Sequence, residues 1–482
     1  MIFNELIGPT YTPSAYSVEC QITKNWYTEK VESGRGKSPY ALLRTPGRKV
    51  FSDPGLGLAT VRRMFALDGH LYAAVGDRYR EVFADGTVNI FATHIGDDGL
   101  PAYIAGNPTQ QFIVSAGNGY ISQAGAVTQI AAAGFPTGRA RGAAFLDGYF
   151  LTGLGGTQQF QISGINDGTS WDAVEKSSAE SKPDFILSIG VLNQEFWPFG
   201  SSTIQVFNDT GDLDFPFEPR LDVAIESGIW APASLTNVSG TWYLLAKNED
   251  GQGMAFRMQG YSLARVSDHS FENAVRLMAD SSDAVGWSYQ ENGHLFWCLR
   301  FPSAAQMWVY DVSVDQWHQR TYLNGSIEEN HRGYCSAAAF GKVLVGDAVD
   351  GKIYEQSVSY LNDGDSTKLI RRVRRAPCLS NKLIGVVHSN LVIDGNMGIG
   401  DATIPSTTPD EPMYDPAMIL RFSNDGGKTW GRDHWRGFGR GGQYGRRAIW
   451  RALGYATRRV YEIVVTAPAD WAIAQAAINE DI

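Results

Sequence analysis

Gly293-His-Leu-Phe-Trp-Cys-Leu299, a polar turn, and then Gln306-Met-Trp-Val-Tyr-Asp-Val-Ser-Val-Asp-Gln-Trp317 is the stretch on which the fold turns. Each half is a short apolar run behind a turn residue. Such runs are too short for a typical helix and rich in aromatic and β-branched side chains, as in a strand buried on both faces. The second half reads strand, Asp turn, Trp.

Moving outward, the same unit recurs on both sides. Upstream lie Gly240-Thr-Trp-Tyr-Leu-Leu245 before Met254-Ala-Phe-Arg-Met258, and Gln194-Glu-Phe-Trp-Pro-Phe199 before Ser202-Thr-Ile-Gln-Val-Phe207. Further back are Asp147-Gly-Tyr-Phe-Leu-Thr152, Gln111-Phe-Ile-Val-Ser115 and Asp68-Gly-His-Leu-Tyr-Ala-Ala-Val75, each followed by a second apolar run. Downstream, Gly341-Lys-Val-Leu-Val345 precedes Lys352-Ile-Tyr354. The units start about 40–50 residues apart, the period of a four-stranded propeller blade, and the Trp308 to Trp317 segment reads as a kelch-type blade. The expectation is an all-β chain whose residues 51–367 form a β-propeller of six or seven blades. A sandwich of irregular hairpins is the competing fold. With 53 glycines and 12% aromatics in 482 residues, composition also favours strands punctuated by turns.

Three segments depart from the repeat. Residues 1–50 read as an N-terminal arm, because Pro9, Pro13, Pro39 and Pro46 forbid a long helix. A short helical insertion is expected near 270–279, with Ser270 as cap and Phe271, Ala274, Val275 and Met278 on one face. Residues 368–482 read as a second, smaller C-terminal β domain serving as a platform or interface. Its strands are Leu383-Ile-Gly-Val-Val-His388 and Asn390-Leu-Val-Ile-Asp394, and a Thr/Pro/Asp loop spans residues 403–416.

Charge is distributed unevenly. Residues 421–459 hold ten Lys or Arg against Asp425 and Asp433, a local +8 in a chain of net −10. The remainder therefore carries −18, a balance that favours solubility and repels DNA. Within this stretch Ser423, Asp425, Gly427, Thr429 and Trp430 spell the S-x-D-x-G-x-T-W turn of an Asp-box, a folding element in which the carboxylate caps a hairpin. Asn166-Asp-Gly-Thr-Ser-Trp171 is a degenerate second copy. Gly437, Gly439 and Gly442 form a GxGxxG, but no strand and helix flank it, so a dinucleotide site is rejected. A basic strand at residues 368–375 adds Arg371, Arg372, Arg374 and Arg375. Together with Arg436, Arg440, Arg446, Arg447 and Arg451 these are the candidate subunit or partner contacts, since Arg and Trp are favoured at interfaces.

Catalytic patterns are absent. No HExxH, GxSxG or Walker loop occurs, the histidines are scattered, and adjacent acids such as Asp97-Asp98 point to opposite faces of a strand. No catalytic residue, metal site or cofactor is expected. The four cysteines fit neither a zinc site nor a disulfide framework. The N-terminus reads as lacking a signal peptide, and no run approaches the ~18 apolar residues of a spanning helix, so no membrane insertion is expected.

Several segments, in order along the chain, resemble the tail-hub or tail-nozzle family of short-tailed bacteriophages, also called packaged-DNA stabilisation proteins. They are Cys20-Gln-Ile-Thr-Lys-Asn-Trp-Tyr27 with the later Leu-Arg-Thr-Pro-Gly47 turn, the Phe-Gly-Ser-Ser-Thr-Ile core before Phe207, residues 263–300, and Tyr444-Gly-Arg-Arg-Ala-Ile-Trp450 with Arg458-Arg459-Val460-Tyr461. The resemblance implies a structural virion protein, not an enzyme, assembled in the host cytoplasm into a homo-oligomeric ring, usually a hexamer. Such a ring extends the DNA channel below the portal and adaptor, retains packaged DNA without sequence-specific contact, and carries a tail fibre, spike or needle. A carbohydrate-binding or sialidase-like propeller is the alternative. A nucleic-acid binder using the Arg-Gly stretch is a third class.

Overall fold

The computed structural model describes residues 2–14, 19–33, 38–179, 183–212, 215–247, 251–380, 384–404, 411 and 413–480. Leu383, and residues 405–410 and 412 of the Thr/Pro/Asp loop, lie outside that set.

Six four-stranded antiparallel meanders follow one another at residues 61–94, 103–129, 140–178, 186–219, 236–265 and 285–319. A seventh has three strands of its own, Gly333–Ala339, Lys342–Asp347 and Ile353–Ser357. These are seven blades among the described residues. In every blade but the second, where Asn107-Pro108-Thr109 makes the connection, the first two strands are joined by tight turns in which both central residues have positive φ. Examples are Asp68-Gly69 (49° and 80°), Asp147-Gly148 (45° and 87°) and Asn292-Gly293 (50° and 83°). That geometry matches the right-handed twist of the strands, and Asp, Asn and Gly tolerate it best. Successive blades then bury apolar faces against each other all the way round. Phe160, Phe196 and Phe207 fill the contact between blades three and four, and Trp242 packs blade five on Phe199 of blade four. Val61, Leu71, Leu344 and Ile353 pack blade seven onto blade one, which closes the ring.

The arm does not stand apart, and its boundary at residue 50 is corrected. Strand β1 (Ile22–Lys24), β2 (Trp26–Lys30), β3 (Tyr40–Arg44) and β4 (Gly47–Ser52) divide between the two domains. β4 pairs antiparallel with Ile353–Ser357, with Tyr354 opposite Val50, and so supplies the outer strand of blade seven. β2 and β3 enter one sheet of the C-terminal domain beside Ala472–Ile478, Val386–Gly395 and Ala448–Ala456. β1 enters the other sheet beside Arg372–Arg375, Val460–Val465, Ala417–Ser423 and His434–Gly437. The two sheets form a sandwich around Trp26, Leu42, Leu391, Leu420, Trp450, Ile463 and Trp471. β1 also touches blade six, Lys24 against Gln319 in parallel, so that blade and this sheet run on as one nine-stranded sheet.

Among the described residues one α-helix, α1 (His269–Leu277), lies between blades five and six. Its cap is Asp268, which accepts from the Phe271 amide at 2.7 Å, rather than Ser270. Ser270 is buried and instead accepts the Thr12 amide at 2.7 Å, tying the arm to the propeller. Phe271 stacks on Trp317 with centroids 4.2 Å apart.

Two arginines assigned to a basic surface are interior. Arg372 and Arg374 are both 0% exposed, because Arg372–Arg375 is a central strand between β1 and Val460–Val465. Every donor of Arg374 is used. Nε donates to the Leu6 carbonyl (2.7 Å), Nη1 to the Pro9 carbonyl (2.8 Å) and Thr23 Oγ1 (3.0 Å), and Nη2 to the Glu5 carbonyl (3.0 Å) and Gln21 Oε1 (2.5 Å). The N-terminal segment is thus wrapped around one guanidinium, whose planar fork suits five fixed acceptors. A second clasp is His294 of blade six. Its Nδ1 lies 2.6 Å from Asp311 Oδ2 and its Nε2 2.6 Å from Glu29 Oε2 of β2. Both nitrogens must donate, so the ring is the imidazolium. Burial alone lowers its pKa, but Asp311 and then Glu29 outweigh that and raise it to about 8.

Two outcomes follow from the clasps. Arg374→Ala orphans five acceptors, two of them buried and three part-buried, and is expected to lower urea-unfolding stability by about 3 kcal/mol, while opening residues 5–10 to protease; a loss under ~1 kcal/mol contradicts the hub role. The raised His294 pKa means its stabilisation is complete below the unfolded value near 6.5 and is lost as pH rises through about 8. Between pH 6 and 9 the wild type is expected to lose about 1–2 kcal/mol that His294→Gln does not lose, as read by parallel unfolding curves.

Candidate subunit and partner interface

The basic stretch is built on the outer edge of the sandwich. Ala417–Ser423 and His434–Gly437 form a hairpin, and the Asp-box fills its loop. Gly426 and Gly427 take φ of 77° and 93°, which brings the backbone amides round onto Asp425. Asp425 Oδ1 accepts from Ser423 Oγ (2.6 Å) and from the amides of Lys428 and Thr429 (2.9 Å each), and Oδ2 accepts from Thr429 Oγ1 (2.6 Å). The Ser423 hydroxyl, then Thr429, hold this carboxyl far below the usual range. Gly427 closes the turn by donating to Ser423 Oγ at 2.8 Å. Trp430 lies beneath the Arg375 guanidinium, 4.6 Å from the ring centroid. Its oxygens committed to its own loop, the Asp-box is scaffold. Asp167 makes a shorter turn, accepting from the amide and hydroxyl of Thr169 (3.0 and 2.6 Å) two residues on rather than four, so the degenerate second copy is not an Asp-box, although Trp171 is buried.

The candidate arginines sort into three kinds. Arg372 and Arg374 are interior, as described. Arg371 and Arg375 are half-buried on the sandwich face and paired, with Glu328 at 3.2 Å and Glu462 at 2.8 Å. The rest are exposed along the hairpin and the loop after it. Arg436 donates to the Ile449 carbonyl at 2.9 Å, and Trp450 Nε1 donates to the His434 carbonyl at 2.8 Å, pinning the two edge strands of the sandwich together. Arg440 lies over Tyr414, 5.0 Å from its ring, and Arg446 pairs with Asp415 at 2.9 Å. Arg447 and Arg451 are exposed and have no hydrogen-bond or ion-pair partner among the described residues.

Sequence reasoning did not separate the exposed aromatics of this edge from the buried ones. Trp450 is 1% exposed, whereas Trp435, Tyr444 and Tyr455 are 57%, 76% and 63% exposed. Strand position decides it. Trp435 stands opposite Ile419 on the outward face of the hairpin, beside a hollow of about 590 Å³ lined by Leu369, Met413, Ile419 and Pro468. Tyr455 stands opposite Val387, itself 64% exposed. Exposed Arg, Trp and Tyr are the side chain types that carry most binding energy in protein contacts.

The propeller axis offers a contrast. Its opening, between Arg62, Arg63, Tyr103, Trp242 and Tyr334, encloses about 150 Å³. A hollow of that size has no room for a nucleic acid. Arg62 seals it by donating to the carbonyls of Gly76 (2.9 Å), Leu100 (3.1 Å) and Gly96 (2.8 Å). Among the described residues no three His, Cys, Asp or Glu side chains are grouped to hold a metal, and no helix is long and apolar enough to cross a membrane.

Residues 27–359 match the family model described as bacteriophage P22 Gp10, beta-propeller, and residues 371–480 match bacteriophage P22 Gp10, beta-sandwich. No curated protein matches the chain. Among solved structures, the computationally designed Ika8 protein is similar at 10% identity and TM-score 0.41, over 64% of this chain and 99% of its own. The Pan2 WD40 domain of Neurospora crassa is similar at 10% identity and TM-score 0.39, over 65% of this chain and 94% of its own. PorZ, a surface component of the type-IX secretion system of Porphyromonas gingivalis, is similar at 11% identity and TM-score 0.38, over 70% of this chain and 44% of its own.

Proposed function

This chain belongs to the bacteriophage P22 Gp10 family of structural phage tail proteins, and from that premise we propose that it is the repeating subunit of a ring in a short, podovirus-like tail. The ring, a hexamer by the family resemblance, extends the DNA channel below the portal and adaptor. It retains packaged DNA, carries a fibre, spike or needle distally, and has no bond-making or bond-breaking role.

The observation that carries this reading is the set of exposed side chains on the two edge strands of the sandwich and the loop that joins them: Trp435 on one strand, Arg451 and Tyr455 on the other, Tyr444 and Arg447 between. An acidic chain that gathers a local +8 there has a surface complementary to the −18 of its own remainder. Contact between unlike patches of identical chains is head-to-tail, and such contacts make a ring where the rotation closes and a filament where it does not. The narrow propeller axis supports the same picture, because a duplex then passes through a lumen enclosed by several copies. An acidic lumen lets DNA slide rather than stick.

Light scattering coupled to sizing, with negative-stain imaging, tests this directly. The expected result is a closed ring in which Arg447→Glu with Arg451→Glu blocks assembly while each chain stays folded. Arg446 is less suitable, because its reversal also breaks the Asp415 pair. A wild-type monomer that binds host polysaccharide would contradict the reading and favour a carbohydrate-binding propeller.

A further inference from the structure

Where blade six meets the sandwich, Lys24 of β1 is in register with Gln319 on one side and Val373 on the other. One residue further on, Asn25 leaves the strand with a φ of 57°, and its side chain accepts the Thr321 amide at 3.0 Å on one side and donates to the Arg371 carbonyl at 2.7 Å on the other, which brings the neighbouring Arg320 and Arg372 to the two sides of the same junction. Arg320 and Arg372 are 2% and 0% exposed, so both side chains run into the junction and not out to solvent.

Their donors are not all used. Arg372 reaches only the Ile370 carbonyl, at 3.3 Å through Nη1, and its Nε and Nη2 have no partner among the described residues. Arg320 donates Nη1 to Gln356 Oε1 and Nη2 to the Pro46 carbonyl, both at 2.9 Å, which leaves Nε without one. Gln356 Nε2 is likewise unpartnered. His331 accepts the Gly333 amide on Nδ1 at 3.0 Å, so its hydrogen is on Nε2, again unpartnered. Burial first, and then the charges of Arg320, Arg48 and Arg300, hold that ring far below the ordinary imidazole range, so it is neutral. All of these unpartnered atoms are donors. The fully buried charges at the junction are Arg48, Arg320 and Arg372 against Asp347 and Asp363, three cations to two anions. Buried donors and an uncompensated buried charge are both costly, and one acceptor of charge −1 answers both. Water accepts hydrogen bonds but leaves the charge.

We propose that this junction binds one small monovalent anion of the halide class, held by Arg372 from the sandwich and by Arg320, Gln356 and His331 from the propeller. The bound anion is a non-covalent bridge between the domains, independent of ring assembly.

Bromide is the probe. Crystals of the full chain soaked in bromide are expected to give an anomalous peak between Arg320 and Arg372. In solution, Tm is expected to rise with the logarithm of chloride concentration when chloride replaces isethionate at constant ionic strength, and Arg372→Met is expected to abolish that dependence. Waters in place of the bromide peak, or a Tm indifferent to the anion, overturn the proposal. Should Arg372→Met fail to fold, the bromide map and the titration of the unaltered chain still decide it.

Discussion

The rest of the structure depends on one backbone constraint, the two-residue step between β3 and β4. β3 ends at Arg44 inside the sandwich and β4 begins at Gly47 as the outer strand of blade seven. Only Thr45 and Pro46 lie between, so the domains cannot part without pulling a strand from one of them. The step is tightly enclosed. Thr45 is buried and donates to the Asn25 carbonyl at 3.1 Å, and a Cβ on Gly47 would sit 2.4 Å from the Asn362 carbonyl oxygen. The Arg374 hub and the His294 clasp secure the same arm from its two sides, one in the sandwich and one in the propeller. An exposed surface ion pair adds little stability, whereas these buried and fully bonded groups fix where the arm runs.

Function follows from what that rigidity presents. A propeller packed blade against blade, with an axial hollow of about 150 Å³, is closed to a nucleic acid along its own axis. The sandwich fixed to it carries exposed arginines and aromatics along its edge strands. On the function proposed above, those edge strands meet the next copy, and the acidic remainder suits a conduit that DNA must cross without being gripped. The Asp-box serves the same end at short range, since its internal hydrogen bonds hold the hairpin that displays Trp435.

Much of this was legible in the sequence, and the reason is distance along the chain. The blades could be read because each is a local meander with apolar runs and Asp-Gly or Asn-Gly turns. The Asp-box could be read because Ser423, Asp425 and Thr429 bond within seven residues. The destination of the arm could not, since strand pairing between Gly47–Ser52 and Ile353–Ser357 leaves no mark in either segment. The same holds for His294 and Glu29, which are 265 residues apart. Arg372 and Arg374 were misread because charge alone argues for solvent. Only the position of their strand, between β1 and Val460–Val465, puts them inside. On the edge, Trp435 and Trp450 look alike in sequence, and their opposite exposures arise from which face of its strand each occupies.

The claim that the arm makes propeller and sandwich a single body is tested most directly by scanning calorimetry of the unliganded chain. A single transition, with calorimetric and van't Hoff enthalpies in agreement, is the expected result. Two separated transitions, one for each domain, would contradict it.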